Sequence, residues 1–414
     1  MIETAHRFIQ DNFVLETDKS KYYPSVHESK NIRSQLPMVW GKAVDFNVYD
    51  TEGNKWIDLT SGIFVTNSGH SNPIIKEAIK KQLDQDLSFC FLYPTEIRRK
   101  LTKKILDVSP EHFEKVVLLS TGSEATDMAY KIIKYWALEK KRKYIVCFEG
   151  SYHGRVLSGD LISGGPNNSY WSGVKDDDLV FLKFPYDPQS EFDPSLLPPS
   201  DEIAAFMLET YQGWSCQFYP QKYIEDLYTF AKSNGCLVCF DEIQAGLYRM
   251  GSLYGYMQYG DFKPDIVCLG KAISSPLPLS VVLSTAELID GAQKIGGTHA
   301  GNPVFCAAAL ANIGFLTDTG FQALLPEKIE LFEKRMKSFE RFEQVDYVNA
   351  VGMVGAILFK EKEESVKTVM ELVRRGVMPV NTWHASIKIG PPLTITIDAL
   401  NEAFDVIEET LRDV

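Results

Sequence analysis

The stretch Cys236-Leu-Val-Cys-Phe-Asp-Glu-Ile-Gln-Ala-Gly246 decides how the rest of the chain is read. Apolar, strand-forming residues run straight into Asp241, Glu242 and Gln244, the pattern of a buried strand that empties into a site at its carboxyl end. Such an acid holds magnesium in a nucleotide hydrolase, or the ring nitrogen of a heterocyclic cofactor in another class of enzyme. A plainer reading makes Asp241 or Glu242 the cap of a following helix.

Working outward, six more apolar runs resemble this one: "KVVLLS" (115–120), "KYIVCFEG" (143–150), "LVFLKFP" (179–185), "IAAFMLET" (203–210), "DIVCLGK" (265–271) and "LSVVLST" (279–285). Helical patterns separate several of them, among them "EATDMAYKIIKYWALEKK" and "PQKYIEDLYTFAKSNG", the second stopped by Asn234-Gly235. Alternation of this kind predicts an α/β fold with a mostly parallel central sheet, whose ligands sit beyond the strands' carboxyl ends. The two ends differ. "AVDFNVYDTEGNKWIDL" reads as a hairpin around Glu-Gly, and after about residue 315 come amphipathic helices with short strands. The expected division is 1–66, the N-terminal part of a smaller α+β domain and an interface arm; 67–310, the large ligand-binding domain; and 311–414, the remainder of the small domain.

Composition narrows the function classes. With 55 acidic against 43 basic side chains the formal charge is −12, the wrong sign for a general nucleic-acid binder. No run of about 18 uncharged apolar residues occurs, so no membrane span is expected. The start, "MIETAHRFIQDNF", has early acids and no long apolar core, so it does not read as a secretory signal. Seven scattered cysteines, several inside apolar runs, read as buried reduced thiols of a cytoplasmic protein. Cys236-x-x-Cys239 lies within one strand and has no second such pair, so no metal site is expected.

Four features can share one ligand. Thr121-Gly122-Ser123 joins a strand to a helix, where free N–H groups and a glycine suit a phosphate; Thr121-x-x-Glu124 is also a capping box that needs no ligand. "FEGSYHGR" (148–155) offers Tyr152 to stack on a planar ring and Arg155 to hold a carboxylate, although a Tyr-His pair also suits packing or a turn. Asp241 can keep a pyridine nitrogen protonated, and Gln244 can donate to a phenolic oxygen. Lys271, just past the strand in "DIVCLGKAI", can condense with an aldehyde once part of its charge is lost. The hydrolase reading fails here, because Gly270-Lys271 is followed by alanine and position 265 is Asp, so no Gly-x-x-x-x-Gly-Lys-Ser/Thr loop exists.

Taken in order, "YDTEGNKWIDLTSGIFVTNSGHSNP", "TGSEA", "YHGR", "LETYQG", "DEIQAG", "GKAISSPLPLS", "THAGNP" and "PPLTIT" resemble the class III aminotransferases, pyridoxal-phosphate enzymes of fold type I such as the 4-aminobutyrate and ornithine aminotransferases. The resemblance covers nearly the whole chain. It implies a Schiff base on Lys271, which also shuttles the proton, with Asp241 on the pyridine nitrogen and Gln244 on the phenolic oxygen. It implies Gly122 and Ser123 on the phosphate, Tyr152 and Ile243 on the two ring faces, and Thr298 reaching the phosphate of a neighbouring subunit in a homodimer with shared sites. The reaction implied is ping-pong transfer of an amino group between an amine or ω-amino acid and a 2-oxo acid or aldehyde.

Three departures bear on substrate. Thr210 follows Glu209 where proline is common. The arginine that often pairs with that glutamate is matched by Lys388, which lacks the planar fork. Serines and a proline stand in "GKAISSPLPLS" where glycines are usual. Arg155 is expected to compensate as an anchor for a distal carboxylate, with a surface salt bridge as the competing explanation, and Phe64 is expected to wall the substrate pocket or else to pack in the core. The alternative function on the same scaffold is an isomerase, either an amino-acid racemase or epimerase or an aminomutase.

Overall fold

Each of the seven apolar runs folds as a strand of one sheet: β1 (Lys115–Leu119), β2 (Tyr144–Phe148), β3 (Leu179–Leu182), β4 (Ile203–Glu209), β5 (Leu237–Asp241), β6 (Ile266–Leu269) and β7 (Ser280–Ser284). The computed structural model describes residues 6–15, 38–165, 170–214, 216–382 and 384–414. Much of the expected interface arm, within 1–66, lies outside the described residues. The chain divides into residues 1–72 with 323–414, and residues 73–322. The joins lie at 72/73 and 322/323 rather than 66/67 and 310/311. Helix 303–316 stays with the larger unit because it packs on helices 73–83 and 96–108.

In the larger unit the strand order is β1-β7-β6-β5-β4-β2-β3. The pairs among β2 to β6 are parallel, whereas β7 runs antiparallel to both β6 and β1. The reason is length: a parallel return needs a crossover of a dozen or more residues, and the link from β6 to β7 is only 270–279. Near-continuous burial of β4, β5 and β6 follows from covering both faces of the sheet.

Three helices matter for the site: α1 (Gly122–Lys140), α2 (Gln221–Ser233) and α3 (Pro303–Leu316). Along α1, Ala125, Met128, Ala129, Ile132 and Ile133 recur with helical period and are buried against the sheet. Helix α2 ends where Asn234 and Gly235 predict: the Asn234 side chain returns to the Phe230 carbonyl at 2.8 Å, and Gly235 adopts φ +65°. Because β1, β2, β4, β5 and β6 are co-directional, their carboxyl ends gather along one edge. Every chemistry-bearing motif of this unit except the Thr298 turn emerges there.

The smaller unit contains the expected hairpin, Asn47–Tyr49 against Lys55–Asp58, joined in parallel by Val377–Met378. A second, antiparallel sheet orders Val345–Val351, Val354–Phe359, Ser386–Ile389 and Val380–Asn381. Helices Leu325–Ser338, Lys362–Arg374 and Ile397–Asp413 complete it. Trp56, fully buried, donates its indole N–H to the Val373 carbonyl at 2.8 Å, tying the two chain ends into one core.

Candidate active site

The two carboxylates at the end of β5 have different roles because successive side chains of an extended chain point to opposite sides. Asp241 is buried at the sheet edge, where its Oδ1 accepts the Ile243 N–H (3.0 Å) and its Oδ2 meets His153 Nδ1 (2.9 Å). Glu242 turns inward and accepts the Thr210 hydroxyl and the N–H groups of Gly255 (2.7 Å) and Tyr256 (2.8 Å). Burial pushes its carboxyl up to about 7 against those hydrogen bonds. Glu242 is a clasp for a loop, and Asp241 faces the site. Turns, not a helix, follow position 242, so neither residue is a helix cap.

The start of α1 reconciles two readings of Thr121-Gly122-Ser123. The capping box forms: Thr121 Oγ1 accepts the Glu124 N–H (3.2 Å), and Glu124 Oε2 accepts those of Thr121 and Ser120 (both 2.8 Å). It leaves the N–H groups of Gly122 and Ser123 without hydrogen-bond partners among the described residues, at the positive end of a 19-residue helix. Close approach is built in. A Cβ on Gly154, which has φ +113°, would lie 2.9 Å from Ser123 Cα, and a Cβ on Gly122 would lie 2.9 Å from Ile243 Cδ1.

After β2 the chain turns through Tyr152, His153 and Gly154. The imidazole is wholly buried and held through its backbone: its N–H donates to Ser163 Oγ (3.0 Å), and its carbonyl accepts the Thr126 hydroxyl (2.5 Å). Burial alone would depress its pKa, but the hydrogen bond and charge of Asp241, with Glu209 behind, outweigh burial and raise it. His153 Nε2 is buried with no partner among the described residues.

Tyr152 stacks on Trp214 (centroids 6.2 Å apart, planes 20° apart). Arg155 donates from Nε to the Tyr152 hydroxyl (3.0 Å), its guanidinium 5.9 Å from that ring's centre. Buried Glu209, at the end of β4, accepts the N–H groups of Tyr152 and Gly213, both at 3.0 Å. Burial pushes its carboxyl up to about 7, opposed by His153 and reinforced by Asp241.

Lys271 opens a short turn (Lys271–Ile273) directly after β6 and takes φ +43°, a left-handed conformation unusual for a side chain of its size. A cavity of about 180 Å³ is lined by Ser123, Tyr152, Asp241, Ile243, Gln244 and Lys271, with Gly122 and Glu209 also on its wall. The structure therefore brings the proposed catalytic pair and the phosphate loop to one space. It does not bring Arg155 or Thr298 to that wall; both are exposed, Thr298 in the turn before α3. Phe64 and Lys388 belong to the smaller unit, buried together there with the ammonium 5.0 Å from the ring centre.

His153 and Trp214 are the residues that sequence reading missed. The only signal for His153 was its place beside Tyr152 at a strand end. These residues fit pyridoxal phosphate: helix-end N–H groups for a phosphate, an aromatic face, a buried anion for the ring nitrogen and an amine for the aldehyde. The glycines at 122 and 154 keep that wall free of side chains where a phosphate would approach.

Comparison with known proteins agrees. The family described as "Aminotransferase class-III" matches residues 29–411. The acetylornithine aminotransferase of Caldanaerobacter subterraneus subsp. tengcongensis is 28% identical over 391 residues, covering 92% of this chain and 96% of that protein. Ornithine aminotransferase 2 of Staphylococcus aureus is 28% identical over 389 residues, covering 91% and 95%. Among solved structures, the ornithine aminotransferase of Toxoplasma gondii superposes with a TM-score of 0.85 at 22% identity, over 95% of this chain and 93% of that one. A thermostable omega transaminase mutant from Pseudomonas jessenii gives 0.85 at 21%, over 95% and 98%. The relatives named here are aminotransferases, which gives the isomerase alternative no support. By the pattern that runs along residues 29–411, the chain belongs to the class III aminotransferases, enzymes that use pyridoxal phosphate to pass an amino group from a donor to an oxo acceptor.

Proposed function

We propose that amino transfer takes place in the 180 Å³ cavity, on an ω-amino acid or related amine whose carboxylate Arg155 holds. One observation carries the reading: Lys271 and Asp241, from adjacent strands, line the same cavity as the bare N–H groups of Gly122 and Ser123. The names of the relatives, acting on ornithine and acetylornithine, support the substrate class.

In this scheme Gly122 and Ser123 would bind the phosphate of pyridoxal phosphate, Tyr152 and Ile243 would flank its ring, Asp241 would hold the ring nitrogen and Gln244 the phenolic oxygen. Pyridoxal phosphate, when bound, supplies the electron sink that makes the donor's α-hydrogen acidic. Lys271 Nζ takes that proton and returns it. Asp241 is held in place by His153 Nδ1 and by the Ile243 N–H, which donates to it. Glu209 braces the backbone under Tyr152 and Gly213, which fixes the stacking wall. Arg155 is available as an anchor, since its Nε bond to Tyr152 is one that an incoming carboxylate can replace more strongly.

A homodimer with shared sites belongs to the same proposal. Leu87, Phe89, Phe91, Leu92 and Tyr93 are exposed in one short segment, and the Phe89 ring lies 5.2 Å from that of His299, next to Thr298. A second copy covering that surface would deliver Thr298 to its partner's phosphate. Six of the seven cysteines are buried, in keeping with a reducing, cytoplasmic setting.

The test is a half-reaction. The holoenzyme is mixed with L-ornithine, N-acetyl-L-ornithine or 4-aminobutyrate without acceptor, and cofactor absorbance is followed. Lasting conversion that 2-oxoglutarate then reverses is expected, with no such conversion in Lys271→Ala. Racemised or rearranged substrate without net conversion would instead favour the isomerase, and a fully active Lys271→Ala protein would end the scheme.

A further inference from the structure

Helix α3 reads PVFCAAALANIGFL, and apart from the thiol of Cys306 its one polar side chain is Asn312, which is 0% exposed. Asparagine is a poor helix former, and a buried amide is costly unless bonded. Here Nδ2 uses both N–H groups on adjacent carbonyls, Ala272 (2.7 Å) and Ile273 (3.0 Å), while buried Oδ1 has no partner among the described residues. Reversing the amide would set its oxygen against two carbonyl oxygens, so the donors fix the orientation. A leucine would fill similar space without an orphaned oxygen. What the amide adds is the pair of donated bonds.

Those bonds fall on the two residues that follow Lys271. The turn they hold is strained twice, at Lys271 (φ +43°) and Ser275 (φ +60°), and such conformations persist only where their surroundings over-determine them. Within the turn the Ile273 N–H donates to the Gly270 carbonyl (3.0 Å), and the Ser274 hydroxyl to the Leu277 carbonyl. This is the segment where serines and a proline stand in place of glycines. We infer that Asn312 is a positioning residue for Lys271: by clamping the carbonyls of 272 and 273 from α3, it holds the left-handed turn that aims the lysine into the cavity. The inference rests on the reading that Lys271 carries the cofactor.

The test uses full-length holoenzyme of wild type, Asn312→Leu, Asn312→Ser and Lys271→Ala. Three quantities are measured: the thermal midpoint, the pH titration of the lysine–cofactor absorption band, and the rate at which methoxyamine displaces the lysine. A misplacement of about 1 Å can change such chemistry by up to about 100-fold. Asn312→Leu is expected to shift the titration midpoint and change the displacement rate at least about fivefold, with Asn312→Ser, which keeps one donor, in between. A lowered thermal midpoint with titration and displacement rate like those of wild type would show a purely structural clamp and overturn the inference. If Asn312→Leu does not fold, the serine variant decides by the same criteria. Survival of the absorption band in Lys271→Ala would instead sink the reading beneath the inference, a distinguishable failure.

Discussion

Replacing Glu209 by glutamine tests the electrostatics of the buried cluster. The carboxylate accepts two backbone N–H bonds at 3.0 Å, yet burial holds its pKa near 7 rather than at its ordinary 4.5. A rise of that size corresponds to about 3 kcal/mol. The sign follows from proton counting: between pH 4.5 and 7 the native protein holds a proton that the unfolded chain has lost, so stability falls as pH rises through that window. His153, also raised, acts in the same direction, its contribution present below about 6.5 and lost as pH climbs through its folded value. Glutamine cannot ionise, but its amide nitrogen must face one of the two N–H donors, which costs about 1–3 kcal/mol. Glu209→Gln should therefore be the less stable protein at pH 5, and its deficit should shrink by on the order of 3 kcal/mol, or reverse, by pH 8. Guanidinium midpoints at fixed protein concentration, measured from pH 5 to 8, report this directly. Parallel curves for the two proteins would refute the reasoning, because Glu209 would then not titrate in that range.

Other expectations concern the cofactor and substrate. Arg155→Ala should raise KM for carboxylate-bearing donors about 10- to 100-fold with kcat little changed, and leave a simple alkylamine unaffected; unchanged KM for donor and acceptor removes the anchor. Thr298→Ala should weaken cofactor affinity about tenfold while the dimer persists, measured by equilibrium dialysis and sedimentation; equal affinity would detach Thr298 from the phosphate. Gly154→Ala sets a Cβ against Ser123 Cα at a backbone φ of +113°, so it should lower the thermal midpoint and loosen cofactor binding, and a variant indistinguishable from wild type in both would contradict the tight approach at that wall.

Much of the fold was legible because short apolar runs of strand length are hard to mistake once helices separate them; all seven central strands fall inside the runs read from the sequence. The direction of β7 was not read, since hydrophobic pattern is blind to strand polarity, although the shortness of 270–279 encodes it. In the site, local motifs such as Thr121-Gly122-Ser123 could be read, but contacts across the chain could not. His153 and Asp241 lie 88 residues apart, and nothing in "YHGR" announces the hydrogen bond. Nor does "DEI" say which of its acids faces inward, a question settled by the Thr210 hydroxyl and the N–H groups of Gly255 and Tyr256. Asn312 was overlooked for the same reason: its partners are about 40 positions upstream.

The short link between β6 and β7 has a consequence for how this enzyme can diversify. A loop anchored at both ends by hydrogen-bonded neighbours of one sheet has little slack, so lengthening 270–279 by even a residue or two would lift the amine out of register. The segments after β2 and β4, carrying Tyr152 and Trp214, also return to neighbouring strands, but over residues 149–178 and 210–236, which leaves them slack to absorb insertions. New substrate ranges should accumulate as changes in those two segments, while the lysine hairpin stays constant in length.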